Sequence, residues 1–423
     1  MKLLLLCLTL SATAAPEPRA TSGDDTAEPA WQEKLTLRVG QNEGDLRGDS
    51  DIPIQAAVDY VARLGGGTVE ILPGTYTFRN SVFLASRVRL TGHGDKTILL
   101  KAPSVTSELA ADSDWYDQEI ALKDAATLRI GDGLCLRSPS ARFVIKRTIT
   151  ARHGHRLKLD RPLRDNLWLS SDKPATAATL FPLLSGENIE HTVIENLTLD
   201  GNGAHNDNLD GNYAGCVWLQ DCRRITMRQL EARHYDGDGL SWQICHDVLV
   251  EHCHSHHHTG LGLHPGSGSQ RSTIRHCRIE SNNIGIFFCW GVRGGLAENN
   301  LITGNVTGIS IGHRDTDNTV RANTITASTA TGLLFRREKD PAAAGHRNLI
   351  TGNTFTDNGG ETGAAIRLEA PVRGITLTGN TITETRAPAQ RTAIHIGPGV
   401  EELKLEANTI KGFASEVTRE AAK

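Results

Sequence analysis

The sequence predicts an all-β protein whose strands stack as the coils of a parallel solenoid, and two observations support this. Short apolar segments recur from residue 188 onward at intervals of 22 to 34 residues, and repeats of about 20 to 50 residues with strand character indicate a β-solenoid. Glycine makes up 42 of 423 residues and aromatic residues 5%, which is typical of many short strands joined by tight turns.

The first residues predict export. Lys2 precedes an apolar run that is too short to span a bilayer, and Ser11-Ala12-Thr13-Ala14 resembles a cleavage site. We expect residues 1–14 to be a signal peptide, residues 15–34 a linker, and the mature protein to be secreted or periplasmic.

Charge and cysteine usage narrow the class further. A net charge of −4 argues against nucleic-acid binding, and no segment predicts a membrane span. Of eight cysteines, Cys7 lies in the leader, so an odd number remains at irregular spacing. This argues against a disulfide framework. We expect a monomer.

Residues 35–103 are predicted to form a cap helix and the first coils. Ile54, Ala57, Val58 and Val61 have helical spacing, and the glycines of Gly65–Gly67 end the helix. Strands follow on both sides of a Pro73-Gly74 turn.

The helix, the GGGTV strand and the PGTY turn resemble the opening of right-handed parallel β-helix proteins of the pectin-lyase-like superfamily. There the helix caps the open end of the solenoid, where an exposed strand edge invites aggregation. The resemblance implies a right-handed β-helix that binds an extended, often acidic polysaccharide across one face.

Two more segments complete the chain. Residues 104–180 contain antiparallel-type strands with a hairpin at His153-Gly154-His155, which predicts a small inserted β subdomain. Residues 181–415 are predicted to form the main β-helix, and the tail at 416–423 belongs to a short cap helix.

One aligned position of the main repeat is rich in asparagine, and stacked amides in such a column would satisfy the backbone of a turn. Cys253 and Cys277 would occupy two positions of this column as unreactive thiols, because the cysteine and histidine spacing of a metal site is missing. The column is Asn196, Leu230, Cys253, Cys277, Asn299, Asn323, Asn353, Asn380 and Asn408.

A second column consists of strands that alternate with period 2. Residues such as Leu240, Leu263 and Ile286 should face inward. The alternate positions should line a continuous shallow groove. They are Trp218, Gln220, Ser241, Gln243, Gly262, His264, Phe287, Cys289, Ser310, Gly312, Leu334, Arg336, Arg367, Glu369 and His395.

Candidate catalytic residues lie on two neighbouring groove strands and the turns before them. Tyr235, Asp236 and Asp238 precede one strand, and a carboxylate there suits acid–base chemistry or cation binding. His264 projects from the next strand and His258 precedes it, and histidine suits proton transfer near neutral pH. The competing interpretations are an Asx turn for the aspartates and a polar outer face for the other histidines, with His252 and His276 stacked in register.

Candidate substrate-binding residues follow the same face. Arg293, Arg314 and Arg336 lie near the ends of successive strands, and guanidinium groups suit carboxylates. Neutralising a uronate carboxylate acidifies the neighbouring proton. Gln243 and Trp218 complete this set. The alternative is solvated arginines paired with neighbouring acids.

Two groups of the superfamily offer partial matches. DGDGLSW resembles the first polygalacturonase motif at Asp238, but the next strands offer His258-Thr259 and Asn283-Ile284 in place of the acidic pair and the histidine. LHPGSGSQRS is similar to alginate C5-epimerases, which have Asp-Pro-His where this chain has His264-Pro265.

The sequence favours an enzyme that abstracts a proton beside a uronate carboxylate, as a lyase or C5-epimerase. The alternatives are an inverting hydrolase using Asp236 and Asp238 with Asp210, and a non-catalytic glycan-binding or surface β-helix. We expect no cofactor and no metal among the site residues, while a Ca²⁺ requirement stays open.

Overall fold

The structure, a computed structural model, describes residues 28–138, 144–169, 174–369, 371–387 and 390–420. The predicted signal peptide and the first part of the predicted linker lie outside these residues. The described parts contain one α-helix and 38 β-strands. None of their helices is long and apolar enough to cross a membrane.

Most strands pair in parallel with the strand one coil away, in two stacks joined by three long strands that span both. The first stack consists of Thr36–Gly40 with Leu46–Arg47 beside it, Gly67–Ile71, the long strands Val88–Lys101, Val193–Asp200 and Arg223–Arg233, His246–Glu251, Thr273–Arg275, Leu296–Glu298, Thr319–Arg321, Leu349–Thr351, Thr376–Thr378 and Lys404–Glu406. The second consists of Gly74–Phe78, the same long strands, His254–His256, Arg278–Glu280, Leu301–Thr303, Thr324–Thr326, Thr354–Thr356, Thr381–Thr383 and Thr409–Lys411.

A third parallel stack of 11 strands holds the predicted groove, and we call it the groove sheet. Its strands are Val82–Phe83, Leu184–Glu187, Val217–Gln220, Leu240–Gln243, Leu261–Pro265, Ile284–Phe287, Thr307–Ile311, Thr331–Phe335, Ala364–Leu368, Thr392–Ile396 and Ser415–Arg419. Leu240 pairs with Leu263, which pairs with Ile286. All three are fully buried, as the period-2 pattern predicts.

The last of these strands corrects an expectation. Ser415–Arg419 was expected to be part of a cap helix, but it pairs in parallel with Thr392–Ile396. Its Val417 lies opposite Ile394, so the segment continues the groove sheet by one more coil.

The helix runs from Asp51 to Arg63 and packs against the first strands of the solenoid. It buries Ile54, Ala57, Val58 and Val61, the residues whose spacing predicts it. Residues 106–178 add a separate antiparallel sheet with its own apolar core. Its strands, in spatial order, are Thr106–Glu108, Thr176–Ala178, Gly133–Arg137, Ile145–His153, Arg156–Leu159 and Glu119–Ala121.

An asparagine ladder runs through the second half of the solenoid. Each amide donates from Nδ2 to the Oδ1 atom one coil further on, at 2.9–3.0 Å. The rungs are Asn300, Asn323, Asn353, Asn380 and Asn408. The backbone N–H of Cys277 donates to Asn300 Oδ1, and the seven cysteines of the described residues are free.

The predicted column was displaced by one residue at two positions. Asn299 and Asn196 are not rungs: they adopt left-handed backbone conformations with φ of 54° and 55°. Asn300 occupies the column position in place of Asn299. Leu197, which pairs with Leu230, occupies it in place of Asn196. Two adjacent asparagines made the register ambiguous at Asn299. His252 and His276 stack with ring centroids 5.1 Å apart, as predicted.

Candidate functional site

The groove is covered at its centre and forms a cleft instead of an open shallow surface. Residues 201–216, which we call the covering loop, connect one of the long strands to the groove strand Val217–Gln220. The cleft has a volume of about 910 Å³. Its lining residues are Asn208, Asp210, Gly211, Asn212, Tyr213, Gln220, Gly237, Asp238, Gly260, Leu261, His264, Ser267, Phe287, Cys289 and Trp290.

Three hydrogen bonds hold the covering loop on the groove sheet. Ser241 Oγ donates to the carbonyl of Gly211 at 2.6 Å, and Trp218 Nε1 donates to that of Asn212 at 3.0 Å. Lys146, from the inserted sheet, donates to the carbonyl of Tyr213 at 2.6 Å and lies over the Trp218 ring. Trp218 is therefore buried beneath the loop and supports it. The sequence predicts Trp218 in the groove lining, but the structure does not place it among the residues that line the cleft.

Asp238 and His264 form a buried pair on the floor of the cleft. Asp238 Oδ2 lies 2.8 Å from His264 Nδ1, and Asp238 Oδ1 accepts the backbone N–H of Leu261 at 3.0 Å. Both side chains are about 3–4% exposed. With Asp238 ionised, Nδ1 has to carry the proton, which leaves the lone pair on Nε2.

The Nε2 atom of His264 is buried and has no hydrogen-bond partner among the described residues. An unpaired buried nitrogen costs free energy in a purely structural histidine. The same atom is a ready acceptor or donor for a group that enters the cleft. General acid–base catalysis uses such an imidazole, in which one nitrogen is oriented by a carboxylate and the other has no hydrogen-bond partner in the protein.

Tight packing keeps Asp238 in place. A Cβ atom at Gly211 would lie 1.6 Å from Asp238 Oδ2, and one at Gly260 would lie 2.5 Å from Oδ1. The covering loop and the next turn therefore approach the carboxylate from two sides, and only glycine permits both contacts. The coil register puts Leu261, not Thr259, opposite Asp238, because Leu240 pairs with Leu263.

Gln243 lies beneath this pair and does not line the cleft. Its Nε2 donates to Ser241 Oγ at 3.1 Å, which in turn lies 3.4 Å from His264 Nδ1. Its Oε1 is buried without a hydrogen-bond partner in the described parts of the chain. Gln243 therefore supports Ser241 and is absent from the cleft lining, whereas the sequence places it among the substrate-binding residues of the groove.

Two of the predicted catalytic residues are interior packing residues. Tyr235 is buried and donates its hydroxyl to the carbonyl of Phe181 at 2.9 Å, and burial raises its pKa well above the usual value. His258 accepts the N–H of Tyr235 at Nδ1 and contacts the carbonyl of Ala232 through Nε2, both at 3.1 Å. Burial lowers the pKa of His258 to about 3, so the ring is neutral and both nitrogens are occupied.

Asp236 also lies outside the cleft lining. Its Oδ1 accepts from Asn208 Nδ2 at 3.1 Å and from Thr259 Oγ1 at 2.5 Å. The carboxylate therefore ties the covering loop to the following coil. Period-2 alternation would place both aspartates on one side, but Gly237 between them has φ of 142°, so the turn breaks the alternation and sends the two carboxylates to different places.

Of the predicted arginines, only Arg336 reaches the edge of the cleft. Its guanidinium lies 4.2 Å from the centre of the Phe287 ring and donates to Ser310 Oγ at 2.9 Å. It also pairs with Asp315 at 3.1 Å. Burial raises the pKa of Asp315 to about 6, against the lowering effect of this arginine.

Arg293 and Arg314 are exposed in turns and do not line the cleft. Arg314 contacts the ring of His313 at 3.2 Å, and Arg293 lies near Asp317. The row of arginines therefore does not form one carboxylate-binding line, because the turns carry two of its members away from the groove strands.

The structure adds two residues that the sequence did not single out, Tyr213 from the covering loop and Trp290 after a groove strand. Asp210 and Cys289, which the sequence names, also line the cleft. Burial raises the pKa of Cys289 to about 12, so its thiol stays protonated. A signal existed in the sequence: the repeat interval that contains the covering loop is 34 residues, the longest of the series.

The comparisons agree with this architecture. The family model described as right handed beta helix region matches residues 215–382. No curated protein matches the chain by sequence. The surface adhesin PfbA of Streptococcus pneumoniae has a similar structure, at TM-score 0.53 and 14% identity, over 87% of this chain and 89% of that one.

Two other solved structures are similar. The Dettilon tailspike protein matches with TM-score 0.51 and 12% identity over 90% of this chain and 62% of its own. The A-module of the mannuronan C-5 epimerase AlgE6 of Azotobacter vinelandii matches with TM-score 0.43 and 15% identity over 88% and 96%. At such identities the likeness concerns the fold alone. The chain is a right-handed parallel β-helix, the fold of the pectin-lyase-like superfamily that its sequence resembles.

Proposed function

We propose that this chain is an exported enzyme that acts on an acidic polysaccharide in the cleft. It abstracts the proton at C5 of a uronate residue, next to the carboxylate, as a lyase or a C5-epimerase. The single observation that supports this most is His264, a residue of the cleft lining, whose Nδ1 is held by Asp238 and whose buried Nε2 has no partner among the described residues.

The chemistry needs a base, an acid and a cation, and the cleft offers a residue for each. His264 takes the C5 proton at Nε2, and the phenol of Tyr213, which also lines the cleft, supplies the second proton. In elimination, the electron pair forms the C4–C5 double bond, the C4–O bond breaks and the leaving oxygen receives that proton. In epimerisation, Tyr213 delivers a proton to C5 from the opposite face, and His264 passes the abstracted proton to solvent, from which Tyr213 is reprotonated.

Arg336 supplies positive charge beside the Phe287 ring at the edge of the cleft. A uronate carboxylate near this guanidinium gains stabilisation as negative charge spreads onto it from C5. Asp315 already shares the guanidinium, so Arg336 is held in a fixed orientation when the substrate arrives. Phe287 and Trp290 give the cleft apolar surface on which a sugar ring can stack.

The same geometry disfavours inverting hydrolysis. That reaction uses two carboxyl groups about 6.5–9.5 Å apart, one as acid and one as base. Among the described residues that line the cleft, the carboxylates are Asp210 and Asp238. Both oxygens of Asp238 already accept hydrogen bonds, one from Leu261 and one from His264. A carboxylate with both oxygens engaged in this way suits an orienting residue better than a proton donor to a sugar.

A panel of uronate polymers tests the proposal. Elimination produces unsaturated uronates with new ultraviolet absorbance, and hydrolysis produces reducing ends without it. We expect unsaturation or a changed epimer ratio in nuclear magnetic resonance spectra, and loss of either with His264→Gln. His395→Gln is the matched control, because His395 lies on the same outward face of the groove sheet, four coils beyond Phe287. Reducing ends alone would support hydrolysis, and glycan binding without turnover would support a surface protein.

A further inference from the structure

A cluster of histidines lies outside the cleft, where the second stack meets the turn that precedes the groove sheet. Arg233 pairs with His256 in the parallel register, which places His234 beside His257 on the next coil. Both of these turn residues adopt left-handed conformations, with φ of 54° and 57°. The repeat therefore brings three imidazoles from two coils to one point.

The three rings offer nitrogen atoms at short range. One ring nitrogen from each of His234, His256 and His257 lies within 4.8 Å of the other two. The Nδ1 atoms of His256 and His257 are 2.7 Å apart. His256 is nearly buried, whereas His234 and His257 are exposed, so the group is open to solvent on one side.

We propose that His234, His256 and His257 bind a divalent transition-metal ion of the zinc class and thereby clamp two successive coils together. Three imidazoles are a frequent zinc donor set, and a fourth position remains for water. Imidazole nitrogen suits zinc, copper and nickel, whereas calcium and magnesium prefer oxygen ligands.

The surroundings of His256 support this assignment. Its Nε2 atom lies 3.2 Å from Glu231 Oε1, so the carboxylate accepts the Nε2 proton and leaves the Nδ1 lone pair directed at His257. Metal-bound histidines usually donate their other ring N–H to a carboxylate or carbonyl in this way. Glu231 is itself held by Arg233 at 3.0 Å, and Arg233 also pairs with Asp200, so the nearby cation is neutralised.

The rings need a small adjustment to accept an ion. Zinc–nitrogen bonds of about 2.0–2.1 Å in a tetrahedron place ligand nitrogens roughly 3.3 Å apart. The Nδ1 atoms of His256 and His257 therefore move apart by roughly 0.6 Å, and the exposed side chain of His257 is free to make that movement. His234 and His257 both line a surface depression of about 440 Å³, which gives the ion a path from solvent.

Calorimetric titration of the full-length chain with ZnCl₂ tests the site. We expect one ion per chain, a rise in the thermal unfolding midpoint on zinc addition, and a loss of affinity of at least 10-fold in His234→Gln and in His257→Gln. Both side chains are exposed, so their replacement should leave the metal-free unfolding midpoint nearly unchanged.

His252→Gln is the matched control. His252 is also exposed, and its ring stacks on that of His276 with centroids 5.1 Å apart. Among the described residues, this pair does not belong to a group of three possible metal ligands. Its replacement should leave zinc affinity as in the wild type. Co²⁺ substitution gives a second measurement, since visible absorption of four-coordinate Co²⁺ should appear in the wild type and disappear in His257→Gln. Equal zinc affinity in the wild type and the His234 and His257 variants, or no zinc bound by the wild type, would overturn the proposal.

Discussion

Replacing Asp238 by asparagine tests the role of this residue with almost no change in shape. The side chain is about 4% exposed and is enclosed by Gly211 and Gly260, so an isosteric residue is the only one that fits. Asparagine still accepts the N–H of Leu261 at its oxygen. Its NH₂ group then faces His264 Nδ1 and donates to it, which places the imidazole proton on Nε2.

The altered tautomer removes the Nε2 lone pair that the proposed base uses. In the analogous serine-protease triad, an Asp-to-Asn change of this kind lowers kcat by about 10⁴-fold, which corresponds to about 5.4 kcal/mol in the barrier. We expect a similar loss in Asp238→Asn. The free energy of unfolding should fall far less, by about 1–2 kcal/mol, because a charge-assisted hydrogen bond is replaced by a neutral one.

Initial rates on the polymer that the wild type turns over, together with urea unfolding, measure both effects. Asp236→Asn is the matched control, since this carboxylate lies two residues earlier and outside the cleft lining. It should retain most of the activity. The reasoning is refuted if Asp238→Asn keeps more than a tenth of the wild-type rate, or if both variants lose activity equally.

Other variants separate the cleft from the core. Tyr213→Phe should lower kcat with little effect on the free energy of unfolding. Tyr235→Phe should keep kcat and lose about 0.5–1.5 kcal/mol of stability, because its hydrogen bond to Phe181 is removed. The reverse pattern in kinetic and urea-unfolding measurements of the two variants would contradict the proposed site. Asn353→Ala removes a rung with four hydrogen bonds and should cost about 2–4 kcal/mol in urea unfolding, while Asn299→Gly, at a left-handed exposed position, should cost less than about 0.5 kcal/mol. Burial lowers the pKa of Lys101 to about 7, so the unfolded chain binds more protons between pH 7 and pH 10, and stability from this group should rise by about 1.4 kcal/mol per pH unit in that window. Lys101→Met should flatten that part of the profile of unfolding free energy against pH, and an unchanged slope would contradict the burial effect.

The fold was predictable because each coil repeats its own signals. Apolar residues alternate on the groove strands, and Leu240, Leu263 and Ile286 occupy matching positions in three coils. Such signals are local and repeated, so a wrong strand assignment in one coil is detected by comparison with the neighbouring coils. Where adjacent residues were equivalent, as at Asn299 and Asn300, the column shifted by one.

The site was less predictable because it depends on one irregular segment. The pair of Asp238 and His264 joins adjacent coils, since Asp238 lies in the turn before one groove strand and His264 lies on the next groove strand. Tyr213 and Asp210 come from the covering loop, whose path over the sheet no periodicity describes. Tyr235 and Asp238 are both buried, but the turn before the groove strand directs Tyr235 into the solenoid interior and Asp238 to the cleft lining, a difference that no repeat position shows.

Solvent exchange at C5 is the most direct test of the central claim. Uronate polymer incubated with the wild type in D₂O should gain deuterium at C5, or yield unsaturated ends, and His264→Gln should abolish both while His395→Gln does not. Epimerised or unsaturated product that forms equally with His264→Gln would contradict the role of His264. Cleavage that yields saturated reducing ends with no deuterium at C5 would contradict proton abstraction itself.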